Sequence, residues 1–227
     1  MTPKQAAALI DHTLLRPDAV ESDVMKVCAE AKAHGFASVC VNSCWVPVVA
    51  RELAGTAVKV CSVIGFPLGA MLTSAKVSET AAAVTAGASE IDMVQNVGWL
   101  RAGALDAVRA DIAAVVGEAG RGSAIVKVIL ETSLLTQDQK VIACRLAQEA
   151  GAAFVKTSTG FGSGGATEDD VALMRAAVGA TMGVKASGGI RTLADVERMV
   201  AAGATRIGAS AGVSIVQSAE LSSTDSY

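Results

Sequence analysis

The chain has 227 residues, 52% hydrophobic and only 3% aromatic, with 19 basic against 22 acidic side chains and a net charge of −3. The length suits one large α/β domain, and the scattered charges form no basic stripe for a nucleic-acid backbone. The sequence has no apolar run approaching the ~20 residues of a membrane-spanning helix, and the short apolar stretch before Asp11 is not a signal peptide.

In chain order, helical segments end in a glycine and a β-rich run begins a few residues later. ALIDHT, with a short helical lead-in, is the first run. Gly35 precedes ASVCV, Gly55 precedes AVKVCSVI, Gly87 precedes EIDMV and Gly120 precedes AIVKVIL. Gly151 precedes FVKTS, Gly179 precedes GVKAS and Gly203 precedes RIGAS. Glycine suits these junctions because it takes the left-handed conformation at a helix C-terminus without a Cβ penalty. Val24, Val27, Cys28 and Ala31 form one apolar helical stripe. Thr136 with Gln139 reads as a capping box. Thr167 ahead of Glu168, Asp169 and Asp170, and Thr192 ahead of Val196, Met199 and Val200, read as further helix starts.

The β-rich runs are almost continuously apolar, as in strands buried on both faces of a parallel sheet. Eight such strands alternating with helices predict a single-domain (β/α)8 TIM barrel over residues 1–217, followed by a Ser-rich flexible tail over 218–227. An open doubly wound sheet shares this local pattern. The five cysteines (Cys28, Cys40, Cys44, Cys61 and Cys144) are odd in number and lack zinc spacing, so they read as reduced thiols of a cytoplasmic protein.

In buried strands the informative residues are charged, since an unpaired buried charge costs several kcal/mol. Asp92 in EIDMV, Lys127 in AIVKVIL, Lys156 in FVKTS and Lys185 in GVKAS stand out, and a barrel would bring strand ends together at one mouth. A single strand lysine is more readily explained by snorkelling or by pairing; four charged residues on four strands favour convergence. Lys59, early in its strand, reads as structural. Paired lysines point to imine chemistry. An ordinary lysine, at about 10.4, is protonated at neutral pH, and bringing it near 7 takes roughly 4.6 kcal/mol. A second ammonium ~4 Å away supplies about 4 kcal/mol at an effective dielectric near 20. An aspartate beside the pair can shuttle protons. ASGGIRT (186–192) and IGASAG (207–212) follow the last two strands, where glycine-rich turns commonly bind phosphate.

DHTLL, EIDMVQNVG, KVILET, FVKTSTGF, GVKASGGIRT and IGASAG occur in this order from Asp11 onward and closely resemble the deoxyribose-phosphate aldolase family. The resemblance implies reversible cleavage of 2-deoxy-D-ribose 5-phosphate to D-glyceraldehyde 3-phosphate and acetaldehyde, with no metal and no cofactor. It casts Lys156 as the imine-forming nucleophile, Lys185 as the neighbour that tunes it and relays protons, and Asp92 as the acid–base residue. Gly160, Gly188, Gly189, Gly208 and Ser210 resemble the phosphate ligands, with Arg191 as an accessory cation. Lys127 and Asp11 match positions lining the same site. Tyr227, the only tyrosine, resembles a C-terminal tyrosine that moves the proton at the enamine carbon; an unordered tail is the alternative. Some members carry a lysine where this chain has Phe161, which implies weaker discrimination against unphosphorylated aldehydes. Cys40 reads either as mouth-facing or as simple packing. The expected partners are sugar phosphates and aldehydes and a second copy of the chain, as a homodimer or homotetramer; neither nucleic acid nor membrane is expected. The residues alone leave three other readings: a Schiff-base aldolase acting on a keto acid or ketose phosphate, a phosphate-binding isomerase using Asp92 as base, and a non-catalytic sugar-phosphate binder.

Overall fold

The computed structural model describes residues 1–217, so Tyr227 and the expected tail lie outside the described residues. The strands are β1 (Ile10–Leu14), β2 (Ser38–Val41), β3 (Lys59–Ile64), β4 (Glu90–Val94), β5 (Ile125–Ile129), β6 (Phe154–Lys156), β7 (Gly183–Ser187) and β8 (Arg206–Ala209). Each is parallel to the next, and β8 pairs with β1, which closes a (β/α)8 TIM barrel. The helices are α1 (Pro3–Ala7), α2 (Glu21–His34), α3 (Val46–Glu52), α4 (Thr73–Thr85), α5 (Val97–Arg101), α6 (Leu105–Arg121), α7 (Gln137–Glu149), α8 (Glu168–Val178) and α9 (Leu193–Ala201). Closure resolves the choice against an open sheet: among the described residues, every strand is paired on both sides.

The local signals explain most boundaries. The α2 stripe buries Val24, Cys28 and Ala31, and Gly35 caps the helix at φ 68°. Thr136 and Gln139 form a reciprocal capping box, as do Thr192 and Asp195, and the Thr167 side chain accepts from the Asp170 N–H. Gly120 departs from expectation. It lies inside α6, which runs to Arg121; Ser123 takes the left-handed turn at φ 59°. The reason is packing: a Cβ on Gly122 would come within 2.2 Å of Val84 on α4, so the glycine of this turn serves close approach.

The apolar residues of strands and helices merge into one shell around the barrel, which includes Ile10, Val39, Ile91, Val128, Val155, Val184 and Ile207. A smaller cluster of Leu15, Cys40, Cys61 and Val63 adjoins Phe66. Lys76 of α4 is fully buried and pairs with Asp111 of α6 at 2.5 Å, while also donating to the Val94 carbonyl at 3.0 Å. Thr73 Oγ1 donates to the other Asp111 oxygen at 2.7 Å. Removing one partner strands the other charge. Asp111→Ala is therefore expected to destabilise the protein by about 3–5 kcal/mol in urea unfolding, and Lys76→Met combined with Asp111→Leu to recover most of it. A loss below about 1 kcal/mol for the single variant would contradict this accounting.

Candidate active site

Strand register builds the site. Lys156 of β6 sits directly opposite Lys185 of β7, and Asp92 of β4 opposite Lys127 of β5. All four point into the barrel, where they meet. Asp92 Oδ2 accepts from Lys156 Nζ at 2.8 Å and from Lys185 Nζ at 2.6 Å, so the two amines are at most two hydrogen-bond lengths apart. Asp92 Oδ1 accepts from Lys127 Nζ at 2.8 Å and from the Cys61 thiol at 3.3 Å. One layer deeper, Asp11 pairs with Lys185 at 2.5 Å and with Arg206 at 2.7 Å, and Glu90 pairs with Lys127 at 2.6 Å and with Arg206 at 2.9 Å.

This cluster sets the charge states. Burial works against ionisation of Asp92, but Lys127, Lys156 and Lys185 more than offset it and hold the carboxyl well below the usual range. Asp11 is likewise held low: its burial is outweighed by Lys127, Lys185 and Arg206. Burial pushes the Lys185 ammonium towards deprotonation, yet Asp11 and Asp92 together drive it the other way, so Lys185 stays charged. Lys127 is held charged in the same manner, against its burial, by Asp11, Asp92 and Glu90.

Above the cluster opens a cavity of about 450 Å³. Lys156 lines it, together with Gly160, Gly188, Gly189, Arg191, Gly208 and Ser210. The expected phosphate residues therefore share one cavity with the expected nucleophile. Gly188 and Gly189 occupy consecutive left-handed conformations at φ 90° and 81°, which only glycine adopts freely. A Cβ on Gly208 would come within 3.0 Å of Lys185 Cε, so this glycine also makes room for that lysine. Asp195 holds the turn after Ile190 by accepting from the Arg191 and Thr192 N–H groups, and these bonds lower its carboxyl to about 2.

Other expected members lie elsewhere. Asp11 and Lys127, anticipated as lining the substrate site, are fully buried beneath the cavity and bind Lys185 and Asp92 instead. Their strand positions place them too deep to reach the wall. Asp92 and Lys185 are buried too, and both reach Lys156 through the shared Asp92 carboxylate rather than lining the cavity. Cys40 is wholly buried, opposite Cys61 in strand register, with its thiol within 4.8 Å of the Asp92 carboxylate, and it does not line the cavity. Phe161 lines the cavity, half exposed, with its ring edge-on to Phe66 at 5.2 Å. Lys59, at the exposed start of β3, stands apart from the cluster. Among the described residues, the grouping with donors close enough for a metal is Cys40, Cys61 and Asp92, within 4.8 Å of one another. Three ammonium groups already occupy the Asp92 oxygens and would compete with any cation.

Glu90, Arg206 and Glu131 were not singled out from sequence. Glu90 was findable, because it lies two residues before Asp92 on the same strand and so faces the same way. Arg206 opens β8 and meets partners 195 and 116 residues away, which no local pattern shows.

The family model for DeoC/LacD family aldolases matches residues 5–218. A relative named deoxyribose-phosphate aldolase 2, from Bacillus licheniformis, is 60% identical over 221 residues, covering 97% of this chain and 99% of its own. The deoxyribose-phosphate aldolase of Bacillus cytotoxicus is 58% identical with the same coverage. A solved deoxyribose phosphate aldolase from Aeropyrum pernix, described as tetrameric, superposes with a TM-score of 0.91 at 35% identity, covering 96% of this chain and 92% of its own.

Proposed function

Because the chain belongs to the DeoC/LacD family of aldolases, we propose that it cleaves 2-deoxy-D-ribose 5-phosphate reversibly to D-glyceraldehyde 3-phosphate and acetaldehyde through an imine on Lys156. The observation that carries this reading is the single Asp92 oxygen shared by the amines of Lys156 and Lys185, with Lys156 alone of the two lining the cavity. The interior cluster holds three carboxylates, Asp11, Glu90 and Asp92, against four cations, Lys127, Lys156, Lys185 and Arg206. Lys156 has one carboxylate contact where Lys127 has three and Lys185 two, and of the three amines it is the one that lines the cavity.

In this mechanism the Lys156 nitrogen attacks the C1 aldehyde, and the carbinolamine loses water after proton transfer from the Asp92–Lys185 pair. The protonated imine draws electrons as the C3 hydroxyl gives its proton back to the Asp92–Lys185 pair and the C2–C3 bond breaks. D-Glyceraldehyde 3-phosphate leaves, and an enamine remains on Lys156. Protonation at C2 and hydrolysis release acetaldehyde and restore the amine. Phosphate is held by Gly160, Gly188, Gly189, Gly208 and Ser210, with Arg191 beside them; Asp11 and Lys127 act through Lys185 and Asp92. Tyr227 is kept as a candidate for the proton transfer at C2.

The test is release of D-glyceraldehyde 3-phosphate from 2-deoxy-D-ribose 5-phosphate, compared with cleavage of unphosphorylated 2-deoxy-D-ribose. The phosphorylated sugar is expected to be the better substrate, by a margin narrowed by Phe161. No release from it would overturn the substrate reading. A cytoplasmic homo-oligomer fits the unpaired cysteines and the tetrameric relative. Among the described residues, no helix is long and apolar enough to cross a membrane.

A further inference from the structure

Outside the charge cluster, one residue combines an unfavourable backbone, a buried carboxylate and a direct connection to the cavity wall. Glu131 follows β5 with φ 56° and ψ 64°, a left-handed conformation that residues with a Cβ rarely adopt. Its neighbours fix it there: the Leu130 N–H donates to the Lys156 carbonyl at 2.8 Å, and the Thr132 N–H to the Thr157 carbonyl at 3.0 Å. The side chain is buried, and Oε2 accepts two bonds from Thr159, one from its hydroxyl at 2.5 Å and one from its N–H at 3.3 Å. The same Thr159 hydroxyl accepts from the Phe161 N–H at 3.0 Å. These bonds close a tight turn whose apex, Gly160, sits at φ 84°.

The turn is cavity wall: Thr159, Gly160 and Phe161 all line it beside Lys156. The chain beyond is pressed onto the same support. A Cβ on Gly162 would sit 3.4 Å from the Glu131 carboxyl carbon, and one on Gly164 would sit 2.7 Å from Ser133 Cβ. The loop then reaches the opposite wall, where the Ala166 N–H donates to the Gly188 carbonyl at 3.0 Å. Residues 159–166 thus bridge the Glu131 turn and the Gly188–Gly189 turn. Glu131 is bonded to one end of that bridge through Thr159.

We propose that Glu131 is a positioning residue that holds the Thr159–Phe161 turn in place and thereby sets the enzyme's preference for a phosphorylated over an unphosphorylated aldehyde sugar. This rests on the substrate reading above. Glu131 touches no reacting atom in that mechanism; it acts through Thr159. The preference depends on it because the groups that Gly160, Gly188 and Gly189 offer a ligand are backbone groups, which cannot follow a displaced ligand as a long side chain can.

The experiment measures kcat and KM for 2-deoxy-D-ribose 5-phosphate and for 2-deoxy-D-ribose in the unaltered protein and in Glu131→Ala, Glu131→Gln, Thr159→Val and the Glu131→Ala/Thr159→Val double variant. Glu131→Ala is expected to reduce the ratio of the two kcat/KM values by about 10- to 100-fold, mainly through KM for the phosphorylated sugar. Glu131→Gln keeps an acceptor oxygen and is expected to retain the ratio within about threefold. Thr159→Val removes the hydroxyl bond to Glu131 and the hydroxyl's bond from the Phe161 N–H while leaving the backbone N–H bond, and it tests the idea from the loop side even if Glu131→Ala folds poorly. The double variant is expected to lose less than the product of the two single losses, because the Thr159 hydroxyl–Glu131 bond is common to both. An unchanged ratio, or an equal loss on both sugars, overturns the positioning role alone. An unaltered protein with no preference for phosphate overturns it together with the substrate reading.

Discussion

Lys156→Arg is expected to lower turnover of 2-deoxy-D-ribose 5-phosphate by at least about 10⁴-fold, because a guanidinium stays protonated and cannot form the imine. The substitution preserves the positive charge, so the partners of Asp92 change little. Lys127 and Lys185 still hold that carboxylate at 2.8 and 2.6 Å. The variant should therefore stay folded, with its unfolding midpoint close to that of the parent. That separation of activity from stability identifies a nucleophile. Retention of more than about 1% of the parental rate would mean that catalysis proceeds without a covalent step on this residue, as in an isomerase using Asp92 as base.

Asp92→Asn is expected to damage both stability and catalysis. Three ammonium groups converge on this carboxylate, and removing its charge leaves them facing one another in a buried interior. Breaking a buried charge pair from one side typically costs about 3–5 kcal/mol, and loss of a positioned acid–base group reduces rate by about 10²–10⁴-fold. The pH dependence gives an independent check. Burial disfavours the ionised Asp92, but the three lysines dominate and depress its folded-state value. A depressed carboxyl contributes stability above its unfolded value, near 3.9, and that contribution falls away as pH drops towards the folded value. The stability gap between parent and variant should thus be full at pH 7 and narrower at pH 3, as measured by urea unfolding. A gap that is constant, or wider in acid, contradicts this assignment.

Much of the architecture was legible because it rests on local rules. EIDMV and GVKAS are β4 and β7 residue for residue, since continuous apolar runs are what a two-sided parallel strand requires. The capping threonines 136, 167 and 192 each begin the helix they were expected to begin. Gly120 misled because it lies inside α6, while the glycine two residues on, Gly122, makes room for Val84 across a helix interface. The inner face of α4 is Lys76, Thr80 and Ala83, which forms no apolar stripe; its logic depends on Asp111, 35 residues on.

The site was legible to the same degree. Charged residues in apolar strands pointed to convergence, and strand register brought them together. The expected lever was repulsion between two bare ammonium groups. The structure instead places Asp92 between them and gives Lys185 a second counter-ion in Asp11. Glu90 and Arg206 complete that balance from the barrel's interior. Glu131 left no signal at all, because nothing in KVILET announces a left-handed glutamate.

Borohydride reduction in the presence of acetaldehyde, followed by peptide mapping, addresses the covalent chemistry most directly. The expected result is one stable two-carbon adduct per chain on the Lys156 peptide, absent without reductant and absent in Lys156→Arg. An adduct confined to Lys185 or Lys127, or no adduct while the protein still cleaves its substrate, would contradict the mechanism.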